Sequence, residues 1–397
     1  MLLNDLLVLD LADGRASFCS KLLADMGARV VKIERPGGDA SRWEGPFWQD
    51  EVCPERSLFF WHNNTNKLGI TLNLESDEGK LLFYRLIGKA DVVVESYSPG
   101  YLEELNLGYK SLTEKNQRLV LASITDFGQS GPYHRYSSCD IVASALGGQM
   151  YVCGASDTPP LKPYGEQSYY AASLFAAVGI LVALRERSSS GKGQYIDVSI
   201  QEAVTATLEH VMVRYFYDNV VPGRTGNLYW NNSCCILPCK DGHIMLTFSA
   251  EWETLVELMD KEGMAEDLKE ERWCDEGYRI QHREHIVELL EQWTRLHTVD
   301  ELFTLGQSMR FPWAPVCSID EVVSSPQLGS RNFFTQVSHP ELDSFFNYPG
   351  SPYKSSCFDK RTWKRAPMIG EDNAQVYTKE LGISAEELAK LSARGII

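Results

Sequence analysis

The sequence predicts an α/β protein, with a Rossmann-like large domain and a smaller α+β domain. The first 125 residues alternate short β-rich runs with amphipathic helical stretches. Alternation of that kind implies a parallel sheet with crossovers on both faces. From about residue 233 the pattern changes to a hairpin followed by a run of helices. The chain has 397 residues, more than one ordinary core accommodates, so two domains are expected.

The elements follow in order. LLVLDL (6–11) is an apolar strand, and SFCSKLLADMGA reads as an amphipathic helix. RVVKIE (29–34) and LGITLNL (68–74) are the second and third strands. SDEGKLLFYRLIGKA is a helix opened by Ser76, with acids following the cap. DVVVES (91–96) and RLVLASI (118–124) supply two more strands. An apolar helix over 174–187, the strand YIDVSI and a long helix QEAVTATLEHVMVRYFYDN come next. VVPGRTGN (220–227) is the expected boundary, which gives a first segment 1–220, a small α+β domain 226–325 and a tail 326–397. The tail carries strand and turn material, FFNYPGSPYKSS, and closes on SAEELAKLSARGII, a helix with a Ser cap and acids in its first turn.

Composition narrows the function classes. The net charge is −16, from 54 acids and 38 bases, which argues against nucleic acid or an anionic membrane as partner. The start MLLNDLLVLDLADG lacks the basic region of a signal peptide, so a cytoplasmic protein is expected. The longest apolar run, Tyr169 to Leu184, contains Ser173 and falls short of the ~20 residues of a spanning helix, so a buried helix is expected. The ten cysteines lack paired spacing and read as reduced thiols. Cys234, Cys235, Cys239 and His243 lack the second CxxC of a structural zinc site, so no metal is expected. His282 and His285 share a helix face that the surrounding charges mark as solvated.

Nucleotide fingerprints are missing. The first strand-to-helix turn, DLADGRAS, has one glycine and no GxGxxG, and SGKGQ (190–194) precedes a strand, unlike a Walker A loop. FGQSGPY (127–133) lacks the GxSxG spacing of a nucleophile elbow.

Seven stretches in register carry a resemblance. LLADMGARVVKIERPGGDASR, NNTNKLGITLNL, ADVVVESYSPGYLEELNLGY, ITDFGQSGPY, GKGQYIDVSIQEA, VCSIDEVVSSPQL and MIGEDNAQVYTKELGISAEELAKLSARGII together resemble family III CoA-transferases, the formyl-CoA and carnitine-CoA transferase group. The resemblance covers essentially the whole chain. It implies two interlocked ring-shaped protomers, with the large domain built from both chain ends, so that 326–397 returns to it. It also implies acyl-CoA and an organic acid as substrates, with no covalently bound cofactor. In that chemistry an aspartate carboxylate attacks the acyl-CoA thioester, expelling CoA thiolate and leaving a mixed anhydride. The thiolate attacks the aspartyl carbonyl and releases the donor acid. The incoming carboxylate then takes over the CoA through a second anhydride.

Counting back from LFAAVGIL without gaps, the family's aspartate position is Tyr169 in this chain. A phenol of ordinary pKa is ionised in about one molecule per thousand at pH 7. More decisively, it has no carbonyl, so no enzyme–CoA thioester can form on it. Glu166, three residues earlier, is the rescue candidate as nucleophile, with an exposed loop acid as its structural alternative. The CoA-binding positions implied by the resemblance are Ala16, Arg35, Leu72 and Ser96. Two of these regions depart from the family pattern, with Ser96 for a common asparagine and Ala16-Ser17 in a shortened first turn. Glu104 also replaces a common basic residue. Arg35 remains available for a phosphate or for a surface ion pair. Tyr169, Tyr170 and Trp230 either line an aromatic cleft or, more simply, fill a vacated CoA site.

Three readings stand: a non-catalytic subunit paired with an Asp-bearing homologue, an active homodimer using Glu166, or a binding protein for CoA or an organic acid without chemistry. The first is preferred, because the losses are confined to one site. For such a heteromer the resemblance suggests succinyl-CoA as donor and benzylsuccinate as acceptor.

Overall fold

Near-continuous burial along the first five strands of the N-terminal segment marks a sheet covered on both faces. In the computed structural model, which describes residues 2–229, 234–248, 251–356 and 363–397, the chain divides into two compact units. The first comprises 1–149, 163–212 and 329–397, and the second 150–162 and 213–328. Six strands form the sheet of the first unit: β1 (Leu7–Leu11), β2 (Arg29–Glu34), β3 (Leu68–Thr71), β4 (Val92–Glu95), β5 (Val120–Thr125) and β6 (Tyr195–Ser199). All are parallel, in the order β3-β2-β1-β4-β5-β6. This is the doubly wound Rossmann order, whose direction reverses beside β1, and ligands of such sheets bind at the carboxyl ends near that reversal.

Both faces are covered. Leu9, Leu11, Val31 and Val93 point into one apolar cluster, with the helices Asp77–Ile87 and Asn373–Leu381 and the terminal Ile396 and Ile397. Val8, Val30, Val92 and Val94 point the other way, toward α1 (Ser17–Asp25) and the helix Gln167–Ser190. Strands apolar on both faces belong to such a sandwich. Ser76 caps the helix Asp77–Ile87 by accepting a hydrogen bond from Gly79 N, and Ser384 caps the last helix in the same way from Glu387 N. The hairpin Phe334–His339 with Ser344–Pro349 packs with Trp61 and Phe60 in a separate small cluster.

The second unit holds a three-stranded antiparallel sheet, Cys234–Pro238, His243–Thr247 and Ala314–Pro315. Its core gathers Trp252, Trp273, Trp293 and Trp313 with Leu290 and Met259. Residues 150–162 and 224–226 are tied within it, since Arg224 Nε donates to Ala155 O at 2.9 Å and Gly226 N to Gly154 O at 3.0 Å. Segments 150–162 and 213–220 thus fall with this unit, although a boundary near 220 would place them in the first.

Three expectations are corrected. The long helix after β6 breaks into Ile200–Ala206 and His210–Asp218. Thr207 Oγ1 turns back onto Val204 O at 2.7 Å and Glu209 takes a positive φ of 37°, which an α-helix cannot continue through. His282 and His285 do not share a helix face: exposed His282 sits at the break between Glu276–Gln281 and Arg283–Thr294 and stacks on Tyr278 at 3.9 Å, while His285 stacks on Trp273 and meets Asp267 at 2.6 Å. The apolar helix Gln167–Ser190 is buried on one face only. Ala172, Ala176, Ala177 and Ile180 pack inward, while Leu174, Phe175, Val178 and Val182 are exposed, Val178 by 60%. Among the described residues it is the one helix long and apolar enough to cross a membrane, and 44% of its apolar window is buried. Small residues on its inner face let it lie close to the sheet, and the large apolar ones are left outside.

Candidate active site

The carboxyl edge of the sheet is organised from below by a buried lysine. Lys67 Nζ donates to Asp10 Oδ2, Ser17 O and Asn64 Oδ1, each at 2.8 Å. Asp10 also accepts from Ser20 Oγ at 2.5 Å and Ala12 N at 3.0 Å. These bonds pin the turn between β1 and α1 to both elements. Burial lowers the Lys67 pKa to about 8, and neighbouring Asp10 opposes the shift.

On this base the turn presents Arg15, four of whose five guanidinium N–H groups are engaged. Its Nη2 donates to Asp13 Oδ2 and to Ser96 O, both at 2.7 Å. Its Nε bridges the two Asp13 oxygens at 3.1 Å, and its Nη1 meets Asp126 Oδ2 at 3.1 Å. Ser96 closes the ring, donating from Oγ to Asp13 Oδ1 at 2.8 Å and accepting from Asp13 N at 2.9 Å. The ends of β1, β4 and β5 are therefore joined through one cation. Burial works against the Arg15 charge, but Asp13 and Asp126 hold its pKa above the ordinary arginine value.

The entrance to the helix Gln167–Ser190 faces this cluster. Glu166 is its N-cap residue, and its carbonyl accepts from Tyr169 N at 3.1 Å and Tyr170 N at 3.3 Å. Ser168 N donates to Asp140 Oδ1 at 2.9 Å, anchoring the first turn. Tyr169 is half-buried. Burial, then Asp126 and Glu166, raise its phenol pKa, and Arg15 only partly opposes them. The phenol is thus held protonated. Tyr170 packs edge-on against Phe18, ring centres 4.7 Å apart.

Glu44 completes the cluster. Gly14 lets it approach, because a Cβ there would lie 3.1 Å from Glu44 Oε2 and 2.9 Å from Phe59 Cε1. Partial burial, with Glu166, Asp13 and Asp39 nearby, pushes the Glu44 carboxyl up to about 7. By surface area Glu44 is exposed, so water screens much of this field and the shift carries little energy. Four carboxylates thus share the neighbourhood of one guanidinium. The arrangement holds Arg15 and a neutral phenol in place, and it offers no carboxylate at position 169 for anhydride formation.

Farther along the same edge lies a cavity of about 300 Å³, at the ends of β2 and β3. Arg35, Pro36, Asp39, Leu72, Tyr97 and Tyr101 are among its walls. Tyr97 and Tyr101 have ring centres 4.8 Å apart and are tilted by 44°. Glu104 is exposed at the end of the short helix Tyr101–Glu104 that carries one of these rings.

Of the positions expected to meet CoA, Arg35 and Leu72 line this cavity, while Ala16 and Ser96 are buried at the Arg15 cluster. Tyr169 and Tyr170 pack at the Arg15 end and are not among the cavity's walls. Trp230 lies outside the described residues. Cys235 is buried within its strand, where burial raises its thiol to about 12, and among the described residues no group of three or more His, Cys, Asp or Glu is placed to hold a metal. Sequence reasoning passed over Arg15, Asp13, Asp126 and Glu44. The available signal was a lone arginine among small residues in the first strand-to-helix turn.

The family model CoA-transferase family III matches residues 3–373. The chain is 35% identical to a succinyl-CoA:mesaconate CoA-transferase of Haloarcula hispanica, over 94% of this chain and 95% of that protein. It is 32% identical to the succinyl-CoA:(R)-benzylsuccinate CoA-transferase subunit BbsE of Thauera aromatica, over 98% and 97%. Among solved structures, a CAIB/BAIF family protein from Brucella suis superposes with a TM-score of 0.85 at 28% identity, covering 95% of this chain and 98% of that one. The matches run through the whole six-stranded sheet and the edge just described, and the chain belongs to CoA-transferase family III.

Proposed function

We propose that this chain is the non-catalytic subunit of a heteromeric CoA-transferase, paired with a homologue that carries the aspartate nucleophile. The observation that carries the reading is the neutral phenol of Tyr169 at the helix entrance, beside an arginine already held by Asp13, Asp126 and Ser96 O. Transfer through mixed anhydrides needs a carboxylate that becomes an acyl donor, and a phenol gives an ester in which the oxygen bears no carbonyl for CoA to take. The likeness to a protein named as a subunit supports the heteromer and suggests succinyl-CoA as donor and an organic acid such as benzylsuccinate as acceptor.

The assembly is proposed to be the interlocked ring dimer that the resemblance implies. Exposed Leu174, Phe175, Val178 and Val182 support it, since an apolar stripe of this kind on a lone protomer calls for cover. In this reading Arg35 and Leu72 are coenzyme A contacts in the cavity between Tyr97 and the end of β3. Ala16 and Ser96 are remnants of the site, with the Ser96 hydroxyl now engaged by Asp13.

The chain purified alone is expected to give no CoA transfer from succinyl-CoA and no hydroxylamine-sensitive acyl adduct. Co-expression with the aspartate-bearing homologue is expected to yield a 1:1 complex with activity. Turnover by the lone chain that Glu166→Gln abolishes would replace this reading with the active homodimer.

A further inference from the structure

The hairpin Phe334–His339 with Ser344–Pro349 meets the rest of its unit around one imidazole. His339 is 0% exposed. Its Nε2 lies 3.0 Å from the Tyr348 hydroxyl on the facing strand, and its Nδ1 lies 3.2 Å from Glu341 Oε1 in the turn between the strands. Trp61, on the helix Leu58–Asn63, packs on the ring at 4.4 Å between centres, and Phe346 meets it edge-on at 4.9 Å. Arg365 Nε donates to Glu341 Oε2 at 2.8 Å, and its Nη1 and Nη2 hold Glu371 at the same distance. The titratable groups around the ring are therefore Glu341, Tyr348 and Arg365, with Glu371 behind the arginine. The helix that carries Trp61 also reaches the candidate site. Its next residue, His62, has its ring 6.2 Å from Phe18 and 6.4 Å from Tyr170, and its cap Ser57 donates from Oγ to Glu44 O at 2.5 Å.

We propose that His339 is an acid-sensitive latch, which as the neutral imidazole docks the hairpin on the helix Leu58–Asn63 and on protonation releases it. Burial keeps the Tyr348 phenol protonated, so the hydroxyl donates to Nε2 and the ring keeps its own proton on Nδ1, toward Glu341. Every polar atom of the ring then has a partner. Protonation turns Nε2 into a donor aimed at a hydroxyl that is itself donating. The hydroxyl must turn to accept, and its hydrogen then has no second acceptor among the described residues. The added charge is enclosed by aromatic rings, and the one carboxylate beside it is already shared with Arg365. Burial accordingly lowers the His339 pKa; Glu341 opposes the shift and Arg365 adds to it. Release removes the packing of the hairpin on Trp61, one residue from the His62 ring that stands beside Tyr170.

The test is hydrogen–deuterium exchange of the full chain at about pH 7.5 and about pH 5.5, read by mass spectrometry and normalised for the intrinsic effect of pH on amide exchange. A histidine freed into water titrates near 6.5. Above that pH neither state holds the proton and docking is at full strength. Below it the released state takes the proton first, so docking weakens by up to about tenfold for each pH unit. Peptides covering 334–349 are expected to exchange up to about tenfold faster at the lower pH, while those of β1 keep their rate. His339→Gln retains a donor and an acceptor without titrating, and is expected to make exchange of the hairpin independent of pH. Where that variant fails to fold, histidine is replaced throughout by triazolylalanine, an isostere that stays neutral over this range, with the same expectation. Equal protection of the hairpin at both pH values overturns the latch. Acceleration that β1 shares, or that survives replacement of the imidazole, overturns it as well.

Discussion

Arg15 and Arg35 both stand in turns after parallel strands, at the carboxyl edge of one sheet, yet their surroundings are opposite. Arg15 is engaged by Asp13, Asp126 and the carbonyl of Ser96, so most of its guanidinium donors are satisfied within the protein. Arg35 is exposed and makes no ion pair among the described residues. An anion arriving at this edge can be met by the second arginine but competes with Asp13 and Asp126 at the first. Position in a strand-to-helix turn therefore says little about whether a cation is available; its count of internal acceptors decides that. At the first turn the protein holds itself together, and at the second it retains an opening.

The sharpest way to break this contrast is to remove each cation in turn. Arg15→Ala leaves Asp13 and Asp126 without a counter-charge at a partly buried site. Loss of one partner of a fully buried pair costs about 3–5 kcal/mol, and the 26% exposure of the Arg15 side chain reduces this to about 2. Arg35→Ala is expected to change stability by no more than about 0.5 kcal/mol. Urea unfolding of the two variants beside the parent measures both. Equal effects would mean that the network around Arg15 contributes nothing to the fold.

Much of the frame of this edge was legible in the sequence, because it depends on local signals. Apolar runs marked all six strands, and Ser76 and Ser384 marked helix starts through their cap patterns. The network around Arg15 was not legible, because its members lie far apart in the chain: Asp126 is 111 residues from Arg15, and Ser96 is 81. Tyr169 could be placed at the helix entrance by counting along one helix, but the neighbours that keep its phenol neutral could not. The half-exposed helix escaped for a related reason. Its apolar residues run all round it, so periodicity gave no hint of which face the sheet would cover.

A second test concerns Glu95, at the end of β4 beneath the same edge. It is only 3% exposed, and burial pushes its carboxyl up to about 7, against hydrogen bonds from Ser123 and Tyr97 N. In the unfolded chain the group titrates near 4.5. Between that pH and about 7 the folded state keeps a proton that the unfolded state has lost, so stability falls as pH rises through this window. Above it the cost levels off at about 3 kcal/mol. Glu95→Gln removes the charge but weakens the bond from Tyr97 N. The variant is expected to be more stable than the parent by about 1–2 kcal/mol at pH 8, and no more stable at pH 4.5. Thermal melts at the two pH values decide it. A gain that is the same at both would show that ionisation of Glu95 is not the cause.

The smallest effects are expected at Tyr169 itself, which sharpens the contrast by asking whether the Arg15 cluster retains any chemistry. Tyr169→Phe removes only the hydroxyl, and the ring keeps its place against the helix core. Stability should change by less than about 1 kcal/mol, and the turnover of the complex should stay the same. Tyr169→Asp restores the carboxylate but sets it beside Asp126 and Glu166, the same acids that raise the phenol. With Arg15 already held by Asp13, the new carboxyl gains no free counter-charge, and its own pKa should rise. A nucleophile and a place for its substrate are separate requirements, so repair of one should not recover the other. The assay is single-turnover transfer from succinyl-CoA in a complex whose partner aspartate has been changed to alanine. No transfer is expected from the repaired site. Transfer well above background would mean that substrate reaches position 169 despite the engaged arginine, and that the nucleophile alone separates this chain from an active one.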